Sequence, residues 1–268
     1  MTLGAAAMVA APIGDVPLEH WAERLTAAAR TAGAAIMDVL KSDFAVAMKE
    51  DRSPVTAADA AAEAIVLAEL ERLTPAFPIV AEERVARDGL PAVTGQRFWL
   101  VDALDGTKEF VRRGTAFTVN IGLIVDGRPV LGIVHAPALN EIFVGIEGLG
   151  AKVDRGNGWQ SITARRRAAG VTVVGSRSHE IRDELDAFLA DYTVAESLAI
   201  GSSIKFCMLA EGKADLYPRF GPTNEWDTAA GDAVLRAAGG RVHTFDGHPL
   251  AYRKPEFRNG KFLAEGRA

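Results

Sequence analysis

Cysteine is all but missing from this chain of 268 residues, where Cys207 stands alone. No intrachain disulfide can form, and a structural zinc site built from thiolates is excluded. A reducing compartment suits such a chain. Basic excess is missing as well: 30 Lys and Arg face 35 Asp and Glu, for a formal net charge of -5. A protein that holds long nucleic acid through its phosphates carries the opposite balance, so nucleic acid is not an expected partner. A small phosphorylated molecule is not excluded, because a few local cations and a metal can hold it. Long apolar runs are absent too. Nothing approaches the roughly 18 uninterrupted apolar residues of a spanning helix. The Ala-rich start from Met1 to Gly14 lacks a basic flank and is broken by Pro12. The expectation is a soluble, cytoplasmic protein with a disordered stretch at residues 1–15.

What is present is enough apolar material, 49% of the residues, to bury a sizeable core in one large domain or two lobes. Leu18, Trp21, Leu25, Ala28, Ala32, Ile36 and Leu40 recur at helical spacing and predict a long amphipathic helix from Pro17 to about Lys41. A mobile connection or weak hairpin follows, closed by Ser53-Pro54. A second helix is expected from Thr56 to Leu73, stopped by Pro75. Short apolar runs at 77–81, 98–101, 117–125, 130–135 and 141–146 then read as strands, the last three as an antiparallel meander around the Asp126-Gly127 turn. After Arg165-Arg166-Arg167, read as a solvated linker, strands at 171–175, 193–196 and 214–217 alternate with helices at 181–190, 203–211 and 227–238, an α/β texture.

The chemistry concentrates in Trp99-Leu100-Val101-Asp102-Ala103-Leu104-Asp105-Gly106-Thr107. An apolar strand that ends in Asp, with a second Asp three residues on, offers two carboxylates at a strand edge. A hard cation such as magnesium takes such oxygen ligands together with phosphate oxygens and water. Gly106-Thr107 lets the backbone come close to an anion. An Asp cap in a tight Asp-Gly turn explains the same residues without any ligand. Two further segments present acids at element ends: Ile79-Val80-Ala81-Glu82-Glu83, a strand ending in adjacent acids, and Trp226-Asp227-Thr228-Ala229-Ala230, with Asp at a helix start. Glu83 reads equally as a solvated charge and Asp227 as a helix cap. One convergent metal site is more economical than three unrelated caps.

The three segments together resemble the inositol monophosphatase superfamily of lithium-sensitive, magnesium-dependent phosphatases. The acidic pair after a strand, the Trp-x-Val-Asp-x-x-Asp-Gly-Thr block and the Trp-Asp-x-Ala-Ala helix start stand in that order. The resemblance implies a layered αβαβα sandwich with an α+β lobe over 16–165 and an α/β lobe over 166–268, the site lying between them. It implies Glu82, Asp102, Asp105, Asp227 and the carbonyl of Leu104 as ligands of two or three magnesium ions. It further implies Asp59, Thr107 and Glu82 as the catalytic set, with Asp59 and Thr107 orienting a water. Thr56 and Asp59 also read as a capping box, and both roles are compatible. Ala103 stands where the family usually has Pro, and Arg84 follows the acidic pair; the first should loosen the turn, the second modestly perturb the rim.

Lys108-Glu109-Phe110, Gly201-Ser202-Ser203-Ile204-Lys205-Phe206-Cys207 and Leu216-Tyr217-Pro218-Arg219-Phe220-Gly221-Pro222-Thr223 are similar to the superfamily's CysQ-type 3′(2′),5′-bisphosphate nucleotidases. That branch converts 3′-phosphoadenosine 5′-phosphate to AMP and phosphate. Its likeness implies substrate contacts from Gly106, Thr107, His179, Ser202, Lys205 and Arg219, and peripheral association with the inner membrane is known in it. A second phosphate calls for cations beyond the metals, which Lys205 and Arg219 offer. Ser202 reads also as a helix cap and His179 as a surface histidine. An inositol or sugar monophosphatase, and a non-catalytic protein binding metal or a phosphorylated ligand, remain as rivals. No stable protein partner is expected, and a homodimer stays open.

Overall fold

The computed structural model describes residues 17–48, 54–176 and 182–267. The Ala-rich start and His179 lie outside the described residues. The first part of the chain forms α1 (Leu18–Leu40), β1 (Val46–Met48), β2 (Pro54–Thr56), α2 (Ala57–Leu73), β3 (Ile79–Ala81), α3 (Glu82–Asp88), β4 (Arg97–Asp105) and α4 (Thr107–Val111). Then come β5 (Thr118–Val125), β6 (Arg128–Ala136), β7 (Glu141–Ile146), β8 (Gly150–Asp154) and β9 (Trp159–Ile162). The remainder gives β10 (Val171–Gly175), α5 (Arg182–Leu189), β11 (Val194–Ala199), α6 (Ile204–Ala210), β12 (Leu216–Arg219) and β13 (Thr223–Asn224). It closes with α7 (Ala229–Ala237), β14 (Arg241–His243), β15 (Arg258–Asn259) and β16 (Phe262–Glu265).

Strands β3 to β9 pair in chain order into a seven-stranded sheet, antiparallel except at β3–β4. Its inner strands alternate between two apolar surfaces, as the period of two requires. Trp99, Val101, Val119 and Ile121 join the core under α1 and α2, while Phe98, Leu100, Ile124 and Val134 join a second core with Phe206, Ala230 and Val234 of α6 and α7. Beyond α6 and α7 lies a five-stranded sheet of order β11-β10-β12-β16-β14. Phe188 and Leu189 of α5 pack on its outer face against Val171, Val173, Leu216 and Leu263. The succession of helices, sheet, helices, sheet and helix is the five-layer αβαβα sandwich implied by the sequence motifs.

One row of glycines decides how the middle layer sits. Gly122, Gly132 and Gly145 face one another across β5, β6 and β7. A Cβ at Gly132 would lie 2.2 Å from the carbonyl oxygen of Ala230, and one at Gly145 would lie 2.4 Å from Cα of Val234. Helix α7 therefore rests directly on the sheet backbone, an approach that any side chain in the row would block. This close packing carries the turn before α7, and Asp227 with it, to the carboxyl end of β4.

Several sequence expectations change. Strand β4 runs on through Asp105 rather than ending at Asp102. The late strands β14 and β16, of three and four residues, are not among the strands read from the sequence. Arg165 is no solvated linker residue: its guanidinium grips the buried Asp215 carboxylate at 2.9 and 2.6 Å, and that carboxylate also accepts from the Thr172 N–H at 2.7 Å. Its acidic partner lies 50 positions away, too far for local pattern to show.

Candidate active site

On an unbroken strand, residues three apart point to opposite faces. Asp102 pairs with Asn120 and Asp105 with Thr118, so three steps on β4 are matched by two on β5. The extra residue is a bulge, and it brings the second carboxylate round to the side of the first. The Leu104 N–H donates to Oδ1 of Asp102 at 3.0 Å and fixes the bulge from inside.

Glu82 begins α3 directly after β3 and reaches the same place. One carboxylate oxygen each from Glu82, Asp102 and Asp227 lie within 4.8 Å of one another. Asp227 is not the helix cap that its position suggested: Thr228 holds that place, and Oδ2 of Asp227 instead accepts from the Asn224 N–H at 2.8 Å. Asp105 stands beside this trio, its Oδ2 accepting from the Ser203 N–H at 2.8 Å, while the Ser203 hydroxyl donates to the carbonyl of Asp227 at 2.9 Å. Ser203 thus ties the β4 acids to the segment ahead of α7.

Burial pushes the carboxyls of Asp102 and Asp227 well above the usual range, and the neighbouring acids push them further. Asp105 is also raised by burial, against the pull of the Lys205 ammonium and the Ser203 N–H. Carboxylates this close cannot all ionise without a compensating cation. An all-oxygen set of buried acids matches the ligand preference of magnesium, so these residues fit a divalent ion.

Asp59 occupies the neighbouring corner and serves two ends at once. Its Oδ2 accepts from the Thr56 N–H at 2.7 Å, completing the capping box of α2. Its Oδ1 lies 3.2 Å from the Thr107 hydroxyl, which also lies 3.1 Å from the carbonyl of Leu104. Gly106 precedes Thr107 with φ of 92°, and a Cβ there would lie 2.8 Å from the carbonyl of Ala116. Only glycine meets both conditions, which lets α4 begin directly against the acids. Arg84 turns away from the site, with Nη2 2.7 Å from Oε1 of Glu71 on α2.

The cations are arranged differently. Lys205 is buried, and its ammonium donates to the carbonyls of Ile200 and Ser202 at 3.1 and 2.6 Å, leaving one N–H for another acceptor. Burial lowers its pKa to about 8, although the Asp105 carboxylate favours the charge. Arg219 is half-buried and donates to the carbonyls of Gly221 and Pro222 at 3.1 and 3.2 Å. Its charge reaches both Asp227 and Lys205. Ser202 has φ of 53°, and its Oγ accepts from the Ile204 N–H at 3.4 Å, while Ser203 takes the cap position of α6. The structure therefore gathers Asp59, Glu82, Asp102, Leu104, Asp105, Thr107, Lys205, Arg219 and Asp227 into one region.

Two residues of this region escape a motif reading. Asn120 donates to Oδ2 of Asp105 at 3.4 Å from the middle of β5, a strand buried at every position. A lone Asn inside the run Val119-Asn120-Ile121 was its available signal. Ser203 had none beyond its neighbour Ser202.

The sequence model of the inositol monophosphatase family matches residues 18–267. A Salmonella typhimurium protein named 3′(2′),5′-bisphosphate nucleotidase CysQ is 47% identical over 240 residues, covering 87% of this chain and 94% of its own. The protein of that name in Escherichia coli K12 is 48% identical over 85% of this chain and 92% of its own. The crystal structure of CysQ from Bacteroides thetaiotaomicron superposes with a TM-score of 0.79 at 34% identity, covering 94% of this chain and 99% of that one. The inositol monophosphatase of Anabaena follows the same fold with a TM-score of 0.76 at 29% identity, over 94% of this chain and 92% of its own. A match over almost every described residue, with relatives close to half identical, settles the kinship: the chain belongs to the inositol monophosphatase family.

Proposed function

We propose that the chain is a magnesium-dependent 3′(2′),5′-bisphosphate nucleotidase that hydrolyses 3′-phosphoadenosine 5′-phosphate to AMP and phosphate. The carrying observation is the oxygen cluster of Glu82, Asp102 and Asp227, within 4.8 Å of one another beside Asp105. The CysQ relatives supply the substrate class. Glu82, Asp102, Asp105, Asp227 and the Leu104 carbonyl would hold two or three ions. Such ions supply Lewis acidity, activating water and stabilising charge on the phosphoryl and leaving oxygens.

The chain's own groups divide the remaining work. The Asp59 carboxylate, held by the Thr56 N–H, accepts from the Thr107 hydroxyl or from a water placed between them, and so orients the nucleophile for in-line attack. Gly106 lets the chain turn so that Thr107 and α4 start directly against the acids. Arg219, Ser202 and the remaining N–H of Lys205 would take the phosphate that is not cleaved; the family likeness adds His179, which lies outside the described residues. Localisation in the cytoplasm accords with the substrate; among the described residues no helix is long and apolar enough to cross a membrane.

Phosphate release from 3′-phosphoadenosine 5′-phosphate, its phosphosulfate form and inositol 1-phosphate, measured side by side with magnesium, tests this. The bisphosphate should be turned over fastest, with activity abolished by chelator and inhibited by lithium and calcium. Preference for the inositol phosphate would replace the nucleotidase reading with a monophosphatase. No release from any of the three would favour a binding protein.

A further inference from the structure

We infer that Glu63 is a positioning residue that sets Glu82 at the site by capping α3 from the neighbouring helix, a role that rests on Glu82 being a metal ligand. Glu63 is 3% exposed. Its Oε2 accepts from the Glu83 N–H at 2.9 Å, and the Arg84 N–H also donates to this carboxylate. Those are the free amides of the first turn of α3, and Ala81, at the cap position, makes no side-chain bond to them. A residue 20 positions earlier does so instead.

The spacing on α2 gives this cap its consequence. Asp59 and Glu63 stand four residues apart, one helical turn. One helix thereby holds Thr107 through Asp59 and the start of α3 through Glu63. The Arg84–Glu71 pair ties α3 to α2 at a more exposed point, where Glu71 keeps 55% of its side chain in solvent. Such a pair contributes little to holding geometry. Glu63 is the buried tie, and it fixes the backbone one residue beyond Glu82. Neither the metal-site motifs nor the substrate contacts call for it.

Magnesium binding by calorimetry and amide exchange of the metal-free protein test this without recourse to turnover. Glu63→Ala should weaken magnesium binding about tenfold, the low end of what groups orienting metal ligands contribute. It should also remove the exchange protection of the Glu83 and Arg84 amides. Glu63→Gln, which keeps one carbonyl acceptor, should fall between the alanine variant and the wild type, and it serves if the alanine variant does not fold. Leu67→Ala, a buried change one turn further along α2, should lower the melting temperature while leaving the affinity within twofold. Wild-type affinity in both Glu63 variants, or equal weakening in Leu67→Ala, overturns the positioning role. A wild-type protein that binds no magnesium instead overturns the metal-site reading on which it stands.

Discussion

Two acids of the site, Asp102 and Asp105, hang from an inner strand of a seven-stranded sheet and are joined by Glu82 from the start of α3 and Asp227 from the turn before α7, whereas its cations come from the short helix α6 and strand β12. Asp102 and Asp105 project from β4, which is flanked by β3 and by a fully buried β5. Their partners are N–H donors supplied by Leu104 and Ser203. Lys205 and Arg219 turn much of their hydrogen-bonding capacity back onto the carbonyls of residues 200, 202, 221 and 222. The contrast teaches that the acid wall is fixed before any ligand arrives, while the cation wall is partly a device for holding its own loops. Changes on the acid wall should therefore act on chemistry, and changes on the cation wall on loop order and substrate choice.

The largest expected effect comes from Asp102→Asn. Losing one charge from a self-repelling cluster leaves packing intact but removes a ligand, so turnover should fall by at least a thousandfold, about 4 kcal/mol of barrier. Steady-state kinetics at saturating magnesium, with circular dichroism for the fold, would check it. Normal turnover would refute the acid wall as a metal site.

Lys205→Ala should come next, and it should look structural. Two carbonyls lose their donor and a buried volume empties, which costs about 2–3 kcal/mol of stability. Turnover of both the bisphosphate and an inositol monophosphate should drop with the melting temperature. Selective loss on the bisphosphate, with unchanged melting, would show that the remaining N–H of Lys205 matters more than the two carbonyl bonds. Arg219→Ala should behave in the opposite way. Its half-buried guanidinium holds one part-buried carbonyl, that of Gly221, and one exposed carbonyl, that of Pro222, so stability should fall less than for Lys205→Ala. The Michaelis constant for the bisphosphate should rise roughly tenfold, one charge-assisted hydrogen bond, with the monophosphate nearly unmoved. Equal losses on both substrates would dissolve the distinction between the two cations.

The same contrast governs what the sequence disclosed. Long periodic segments such as α1 and the β5–β7 meander were legible because burial imposes a period on the chain, and α2 because Thr56 and Pro75 mark its ends. The acids Glu82, Asp102, Asp105 and Asp227 were legible because their types recur at element ends. The bulge between Asp102 and Asp105 was not, since a register shift is a property of two strands and leaves no local mark. Nor did the glycine row announce itself: Gly122, Gly132 and Gly145 are isolated glycines until β5, β6 and β7 are aligned. The carbonyl partners of Lys205 were hidden for a related reason. A charge in a Ser-Ser-Ile-Lys run does not reveal that its own preceding loop curls back to accept from it. Asp59 shows the reverse: one oxygen of its carboxylate caps α2 as its spacing from Thr56 suggested, and the other lies against the Thr107 hydroxyl.

The smallest expected effect sharpens the acid wall by pH. In the metal-free protein the carboxyls of Asp102, Asp105 and Asp227 lie above the usual value of 3.8. The folded chain then binds more protons than the unfolded chain at any pH between the two sets of values, so stability falls as pH rises through that window. This contribution is complete below about pH 4 and is lost as the folded carboxyls ionise. Asp154 and Asp215 oppose it, since hydrogen bonds and arginine partners hold them low and their contribution fades on acidification. A bare pH profile mixes the two signs, but a difference separates them. Asp102→Asn removes one raised carboxyl and leaves the lowered ones untouched. In chelator, the melting temperature of the wild type should fall relative to that variant by a few degrees as pH rises from about 5 to 8. Magnesium should raise the wild-type curve and flatten its slope, because the bound charge replaces the proton as the partner of the cluster. Parallel curves in chelator would mean that the acids do not strain one another, and the comparison between a pre-set acid wall and a self-holding cation wall would lose its first term.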